Sequence, residues 1–214
     1  LRLRPAFADG RIYASGADAG TVVAIDAQTG VLVWTVTVGS TVSSGAGVGD
    51  GLVAVGTIDG DVIALEAADG SERWRANGSS EVIAAPAIGD GVVVVRASDG
   101  RVFGFEAGDG ARRWVFDRGV PLLSLRGNGT PVIGGGAVFA GYDNGKIVAL
   151  GLADGKLLWE QALAQPEGRT ELDRMVDVDG ELGLSGTDLF AVSHRGQVGL
   201  LASNSARQQW VREM

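Results

Sequence analysis

The five tryptophans of the chain, Trp34, Trp74, Trp114, Trp159 and Trp210, all fall in one repeating frame. Four residues before each stands a small residue: Gly30, Gly70, Gly110, Gly155 and Ala206. Ten residues before those stand Gly20, Gly60, Gly100, Gly145 and Gly196. A self-similar period of about 40 residues marks a repeat architecture, in which one unit cannot bury its apolar surface alone and must stack on its neighbours. The repeats run approximately 1–39, 40–79, 80–119, 120–164 and 165–214.

Inside a repeat the period is two. In the third, Val92-Val93-Val94-Val95 precedes Ser98-Asp99-Gly100. Val102, Gly104 and Glu106 then alternate with Arg101, Phe103 and Phe105, and Arg113-Trp114-Val115-Phe116 follows the turn at Asp109-Gly110. Ile83 to Ile88 adds a short extended run ahead of them. Asp-Gly between alternating runs marks hairpins, with both turn residues expected at positive φ. About four strands per repeat with no helix predicts an all-β fold, a β-propeller of four-stranded blades. One tryptophan at a fixed place in each last strand reads as packing between blades.

Composition then removes several functions. Of 26 acidic residues, nine are the aspartates of Asp-Gly pairs, so the net charge of -8 requires no dedicated acidic surface. It also lacks the basic footprint of a nucleic-acid binder. With no cysteine, disulfides, thiolate metal sites and cysteine nucleophiles are excluded, while the compartment stays open. His194 is the single histidine and sits at a hairpin-turn position, so no triad or histidine metal cluster assembles around it. Catalytic residues, cofactor and metal are all expected to be absent. The start, Leu1-Arg2-Leu3-Arg4-Pro5, reads as part of a processed or truncated piece of something longer.

The repeat is also a ruler. From each tryptophan to the first glycine of the next unit, two steps are 26 residues; the third gains five and the fourth eleven. The excess lies around 119–130 and 164–180. Both insertions join the outer strand of one blade to the inner strand of the next. They are therefore expected on one face, where repeat proteins often bind. The first reads Val120-Pro121-Leu122-Leu123-Ser124-Leu125-Arg126-Gly127, three leucines beside an arginine, a natural composition for a protein interface. The second runs from Gly168 to Gly180 and contains Asp177-Val178-Asp179, whose carboxylates point the same way if the segment is extended. A calcium loop needs a denser series of oxygens than Met175 and Glu181 allow. Calcium ligation and an acid/base pair are the minor readings of these two carboxylates; contact with a partner or a salt bridge within the loop is the favoured one.

The blade pattern, as in Gly60-Asp61-Val62-Ile63-Ala64-Leu65 through Trp74, resembles the pyrroloquinoline-quinone-type repeat, which implies a propeller and nothing finer. Leu123-Ser124-Leu125-Arg126-Gly127 followed by Thr170-Glu171-Leu172-Asp173-Arg174 and Asp177-Val178-Asp179 is similar, in order and spacing, to the BamB family. These are propeller lipoproteins of the outer-membrane β-barrel assembly (BAM) machinery. The resemblance implies an eight-bladed, non-enzymatic scaffold at the periplasmic face of the outer membrane of a Gram-negative bacterium. It would bind the periplasmic POTRA domains of the insertase BamA, aid folding and insertion of outer-membrane proteins, and meet unfolded clients. Carried over by residue, the partner-binding surface would include Leu123, Leu125, Arg126, Asp177 and Asp179. Arg126 would bond a partner carboxylate or order its own loop through Asp177 or Asp179.

The sequence departs from that family in having five repeats rather than eight. It contains no cysteine for the family's lipid anchor, the only membrane attachment expected. In the last repeat Leu201-Ala202-Ser203-Asn204-Ser205-Ala206 replaces the usual Asp-Gly turn. Two other readings share the blades: a generic interaction or sensor propeller, which needs neither insertion, and a fragment of a quinoprotein dehydrogenase.

Overall fold

The computed structural model describes residues 4–17, 20–117, 129–142, 145–163, 178, 182–193 and 196–213. The regular elements among the described residues are all strands, grouped into five antiparallel sheets of four. Blade one is β1 (Ala6–Ala8), β2 (Arg11–Gly16), β3 (Thr21–Asp26) and β4 (Leu32–Thr37). Blade two is β5 (Gly47–Gly49), β6 (Leu52–Gly56), β7 (Asp61–Glu66) and β8 (Glu72–Asn77). Blade three is β9 (Ala87–Gly89), β10 (Val92–Arg96), β11 (Val102–Glu106) and β12 (Arg112–Phe116). Blade four is β13 (Val132–Gly134), β14 (Ala137–Gly141), β15 (Lys146–Gly151) and β16 (Leu157–Ala162). Blade five is β17 (Gly183–Ser185), β18 (Asp188–Val192), β19 (Gln197–Ala202) and β20 (Gln208–Glu213). The chain divides into two compact units, Leu1–Asp117 with the first three blades and Arg118–Met214 with the last two.

Turn chemistry sets these boundaries, and it is more varied than the Asp-Gly pairs suggest. Asp9, Asp50 and Asp90 sit at φ of 48, 49 and 51°, each followed by a positive-φ glycine, as a two-residue hairpin turn requires. These close the first hairpin of blades one to three. At Asp69, Asp109 and Asp154 only the glycine is left-handed. There the loop is longer, with Gly70 N–H donating to Glu66 O at 2.9 Å, and the aspartate works through its side chain instead. Asp69 Oδ1 accepts Ser71 N–H at 3.0 Å and Asp109 Oδ1 accepts Ala111 N–H at 2.9 Å. The expectation of two positive-φ residues at every Asp-Gly is corrected accordingly.

The core lies in the seams between sheets. In the first unit, β6, β7, β10 and β11 are buried on both faces, so their pattern is a continuous apolar run rather than an alternation. One apolar cluster joins blades one and two through Tyr13, Val22, Ala24 and Trp34 against Val53, Val55, Ile63 and Leu65. A second joins blades two and three through Ala64, Trp74 and Val62 against Val93, Val95, Phe103 and Phe105. In the second unit, Phe139, Ile147 and Ala149 meet Leu189, Ala191 and Leu201.

Each tryptophan with a following blade in its unit uses it in the same way. Trp34 Nε1 donates to Ala67 O at 3.1 Å, Trp74 Nε1 to Ala107 O at 2.9 Å, and Trp159 Nε1 to Ser203 O at 2.8 Å. The acceptor belongs to the outer turn of the next sheet. The glycine of that turn is obligatory for packing as well as for its φ of +78°. A Cβ at Gly70 would lie 2.7 Å from Cε3 of Trp34, and one at Gly110 2.6 Å from Cε3 of Trp74. At Gly70 and Gly110 the small residue four places before one tryptophan is therefore the seat of the preceding blade's tryptophan. The corresponding residue of blade five is Ala206, held at φ 58°.

Candidate partner-binding surface

The five residues singled out from the sequence, Leu123, Leu125, Arg126, Asp177 and Asp179, lie outside the described residues, as does His194. What the structure supplies is the frame from which both insertions spring. The unmodified connection is seen twice, as 38–46 and 78–86; the long ones are 117–131 and 163–182.

A short connection is tied down at both ends. Gly78 N–H donates to Gly60 O at 2.9 Å, and Val82 N–H donates to Thr57 O at 3.1 Å. Val82 is fully buried, lying where a side chain on Gly56 would otherwise go. The second long connection reproduces both ties. Leu163 N–H donates to Gly145 O at 2.8 Å, and Val178 N–H donates to Tyr142 O at 3.1 Å. Val178 is fully buried against Gly141, as Val82 is against Gly56. Val178 is thus the structural equivalent of Val82, and all eleven additional residues fall between Leu163 and Val178. The Asp177-Val178-Asp179 triplet is centred on a residue that belongs to the blade frame. Sequence reasoning weighed the two aspartates and missed the valine, although an apolar residue between two charges is the signal that could have found it.

The first long connection departs from Asp117, whose carboxylate receives Arg101 Nε at 2.7 Å, while Arg101 Nη1 lies 3.1 Å from Asp99. The neighbouring carboxylates, Asp117 foremost, hold the Arg101 guanidinium more firmly protonated than usual. This arginine therefore splices the start of the insertion to the β10–β11 turn. Blade two makes the corresponding join through an amide, Asn77 Nδ2 donating to Asp61 Oδ1 at 2.9 Å. The connection rejoins the frame at Gly129 and Pro131, both buried.

Blade three differs in one further way. Where β2, β6 and β14 end in Gly16, Gly56 and Gly141, β10 ends in Arg96, whose side chain is 1% exposed. A buried guanidinium on the blade that feeds the first insertion was not anticipated. Its signal is an arginine closing a run of four valines at a place that is glycine in blades one, two and four. Among the described residues no three histidine, aspartate or glutamate side chains gather as metal ligands would.

A family profile described as outer membrane protein assembly factor BamB matches residues 4–214. The chain is 61% identical over 211 residues to the outer membrane protein assembly factor BamB of Pseudomonas aeruginosa, covering 99% of this chain and 55% of that one. It is 50% identical over 223 residues to the protein of the same name from Xanthomonas campestris pv. campestris, covering 100% and 55%. The crystal structure of BamB from Moraxella catarrhalis superposes with a TM-score of 0.88 at 26% identity, over 99% of this chain and 64% of that one. A quinohemoprotein alcohol dehydrogenase from Comamonas testosteroni superposes with a TM-score of 0.74 at 19% identity, over 100% and 43%, a likeness of fold alone. The five sheets are thus β-propeller blades, as the repeat predicts. The chain spans about half the length of the curated relatives it matches.

Proposed function

The chain belongs to the family of the outer membrane protein assembly factor BamB, and from that membership we propose that it is a non-enzymatic scaffold of outer-membrane protein assembly. It works at the periplasmic face of the outer membrane and binds the periplasmic POTRA domains of the insertase BamA through the two long inter-blade connections. Folding and insertion of outer-membrane proteins are aided by holding the insertase, and unfolded clients are further partners. No nucleic acid is involved.

The observation that supports this most is that both additions replace the same class of connection and leave the blade frame intact. Eleven residues are inserted between two hydrogen bonds that a normal connection also makes, so the addition is dispensable to the blade and available for recognition. In this reading Leu123 and Leu125 bury apolar surface on the partner, and Arg126 supplies a charge-assisted hydrogen bond. Asp177 and Asp179, the sequence neighbours of the pinned Val178, contact the partner as well.

The test is a binding isotherm of this chain with the BamA periplasmic domains, beside Leu125→Ala and Arg126→Glu, with circular dichroism establishing that each sample is folded. Parent binding that weakens by more than about 1–2 kcal/mol in either folded variant supports the assignment, since interface anchors lose that much. A folded parent that does not bind removes these residues as the docking surface.

A further inference from the structure

Three blades fasten the start of the connection that follows them in one way. The backbone N–H four residues beyond the tryptophan donates to the glycine carbonyl of that blade's own second turn. Val38 donates to Gly20 O at 2.9 Å, Gly78 to Gly60 O at 2.9 Å and Leu163 to Gly145 O at 2.8 Å. Val38 and Leu163 back the bond with a buried side chain, each 6% exposed. Gly78 has no side chain to offer, and its backbone is not left-handed, so its conformation does not demand glycine. A segment with few buried apolar contacts opens far more often than the domain that carries it.

The residue ahead of this glycine is Asn77, exposed at the last place of β8. It stands opposite Asp61, the first residue of β7, and its Nδ2 donates to Asp61 Oδ1 at 2.9 Å. Asparagine followed by glycine is the pair most prone to ring closure, because a glycine nitrogen has no neighbouring Cβ to hinder its approach. The Gly78 nitrogen attacks Asn77 Cγ; the N–Cγ bond forms, the Cγ–Nδ2 bond breaks, and the nitrogen's proton leaves with the amide as ammonia. Water then opens the resulting succinimide at either carbonyl, giving aspartate or isoaspartate. In the closed structure both reactants are engaged elsewhere, the Gly78 N–H by Gly60 O and the Asn77 carboxamide by Asp61.

We propose that Asn77-Gly78 is a self-modification site of this chain, gated by these two hydrogen bonds, so that ring closure proceeds only when the start of the second connection opens. Neither product fits the closed state. Aspartate sets a second carboxylate against Asp61 in place of an amide donor, and isoaspartate adds a carbon to the main chain immediately before the Gly78 N–H. Modification therefore leaves the second connection untied at its start. None of these residues belongs to the insertase-binding reading.

Mass-spectrometric peptide mapping of the full chain, incubated at mildly alkaline pH, tests it. Trypsin releases Asn77 in the peptide Ala76–Arg96, which contains no other side-chain amide, so conversion of amide to acid is read at this residue alone. The folded parent should convert at least about tenfold more slowly than the guanidinium-unfolded chain, as a locally gated site does. Asp61→Ala, shown to be folded by circular dichroism, should convert faster than the parent by about fivefold, the population shift that one hydrogen bond makes. The place of Asp61 is filled by Thr21, Arg101 and Lys146 in other blades, so the frame tolerates its replacement. Gly78→Val, which restores the side chain that Val38 supplies, should not convert. A folded parent that converts as fast as the unfolded chain, a parent that never converts, or a folded Asp61→Ala no faster than the parent would each overturn the proposal.

Discussion

Trp34 and Trp210 stand at the same position of equivalent strands, each opposite the same kind of bulge, between Ala24 and Ile25 in one blade and Leu200 and Leu201 in the other. The first is 8% exposed and bonded to the next blade; the second is 39% exposed. The repeated residue specifies a capacity, and the neighbouring sheet determines whether that capacity becomes stability. Repeat proteins follow this logic generally, their stability being a sum of unit terms and interface terms.

The largest effect that could break the comparison is loss of the ring itself. Trp74→Ala, which empties a buried seam and orphans Ala107 O, should lower the stability of the first unit by about 3–5 kcal/mol in urea titrations. Trp210→Ala, measured at low protein concentration, should change stability by no more than about 0.5 kcal/mol, as exposed sites do. Equal losses would mean that the tryptophan stabilises its own blade rather than the seam.

A second pair separates contact from backbone strain. Gly70→Ala places a methyl against Trp34 at a left-handed φ and should cost about 2–4 kcal/mol. Gly30→Ala, at a φ of +72° with open space around it, should cost only the conformational share, about 1 kcal/mol. The difference between the two midpoints in denaturant is the worth of the seated ring.

The reverse substitution sharpens the point from the other end. Ala206 is a methyl-bearing residue at φ 58° in a position that the other four repeats give to glycine. Ala206→Gly relieves the left-handed strain and should raise the thermal stability of the second unit by about 0.5–1 kcal/mol, less than the strain itself because glycine also frees the unfolded chain.

How far the sequence foretells these results depends on what each residue reports. The frame of glycine and tryptophan sufficed to place four strands in each repeat, because seam packing needs those residue types at those spacings. It did not disclose the turn geometry, since Asp50 and Asp69 precede glycine alike yet only Asp50 is left-handed. Loop length decides that, the loop at Asp69 being closed by the hydrogen bond from Gly70 N–H to Glu66 O. The insertions were legible by counting, but the boundary at Val178 was not, because its equivalence to Val82 rests on a backbone hydrogen bond. Arg96 was invisible for a related reason: a terminal arginine in a valine run reads as an exposed strand end until the position is seen to be buried. The exposure of Trp210 depends on what stands beside it, which its local sequence does not encode.

The smallest expected effect is on pH. Hydrogen bonds from Thr29 hold the Asp26 carboxyl below its usual 3.8, and the backbone and hydroxyl of Ser71 do the same for Asp69. Arg113 likewise holds Glu106 below its usual 4.5, and Lys156 holds Asp154 below 3.8. A carboxyl depressed in the folded state contributes stability that is present above its unfolded value and is lost as pH falls through the folded one. Denaturation midpoints should therefore hold steady above those usual values and decline gently below them. Asp26→Asn and Asp69→Asn should each flatten the decline in the first unit, whose seat at Gly70 is shaped by one of these turns.

The two ties at Leu163 and Val178 rest on Gly145 and Tyr142, three residues apart on a single turn. A segment that leaves and returns to one short stretch of scaffold behaves as a cassette. Its length and sequence can drift, or be exchanged wholesale for the three-residue 79–81 spacer of the second connection, without asking any strand to move. Because the cost of closing a loop grows only with the logarithm of its length, such exchanges are thermodynamically mild. Exchange of the 164–177 segment is thus uncoupled from the packing that the tryptophan seams require.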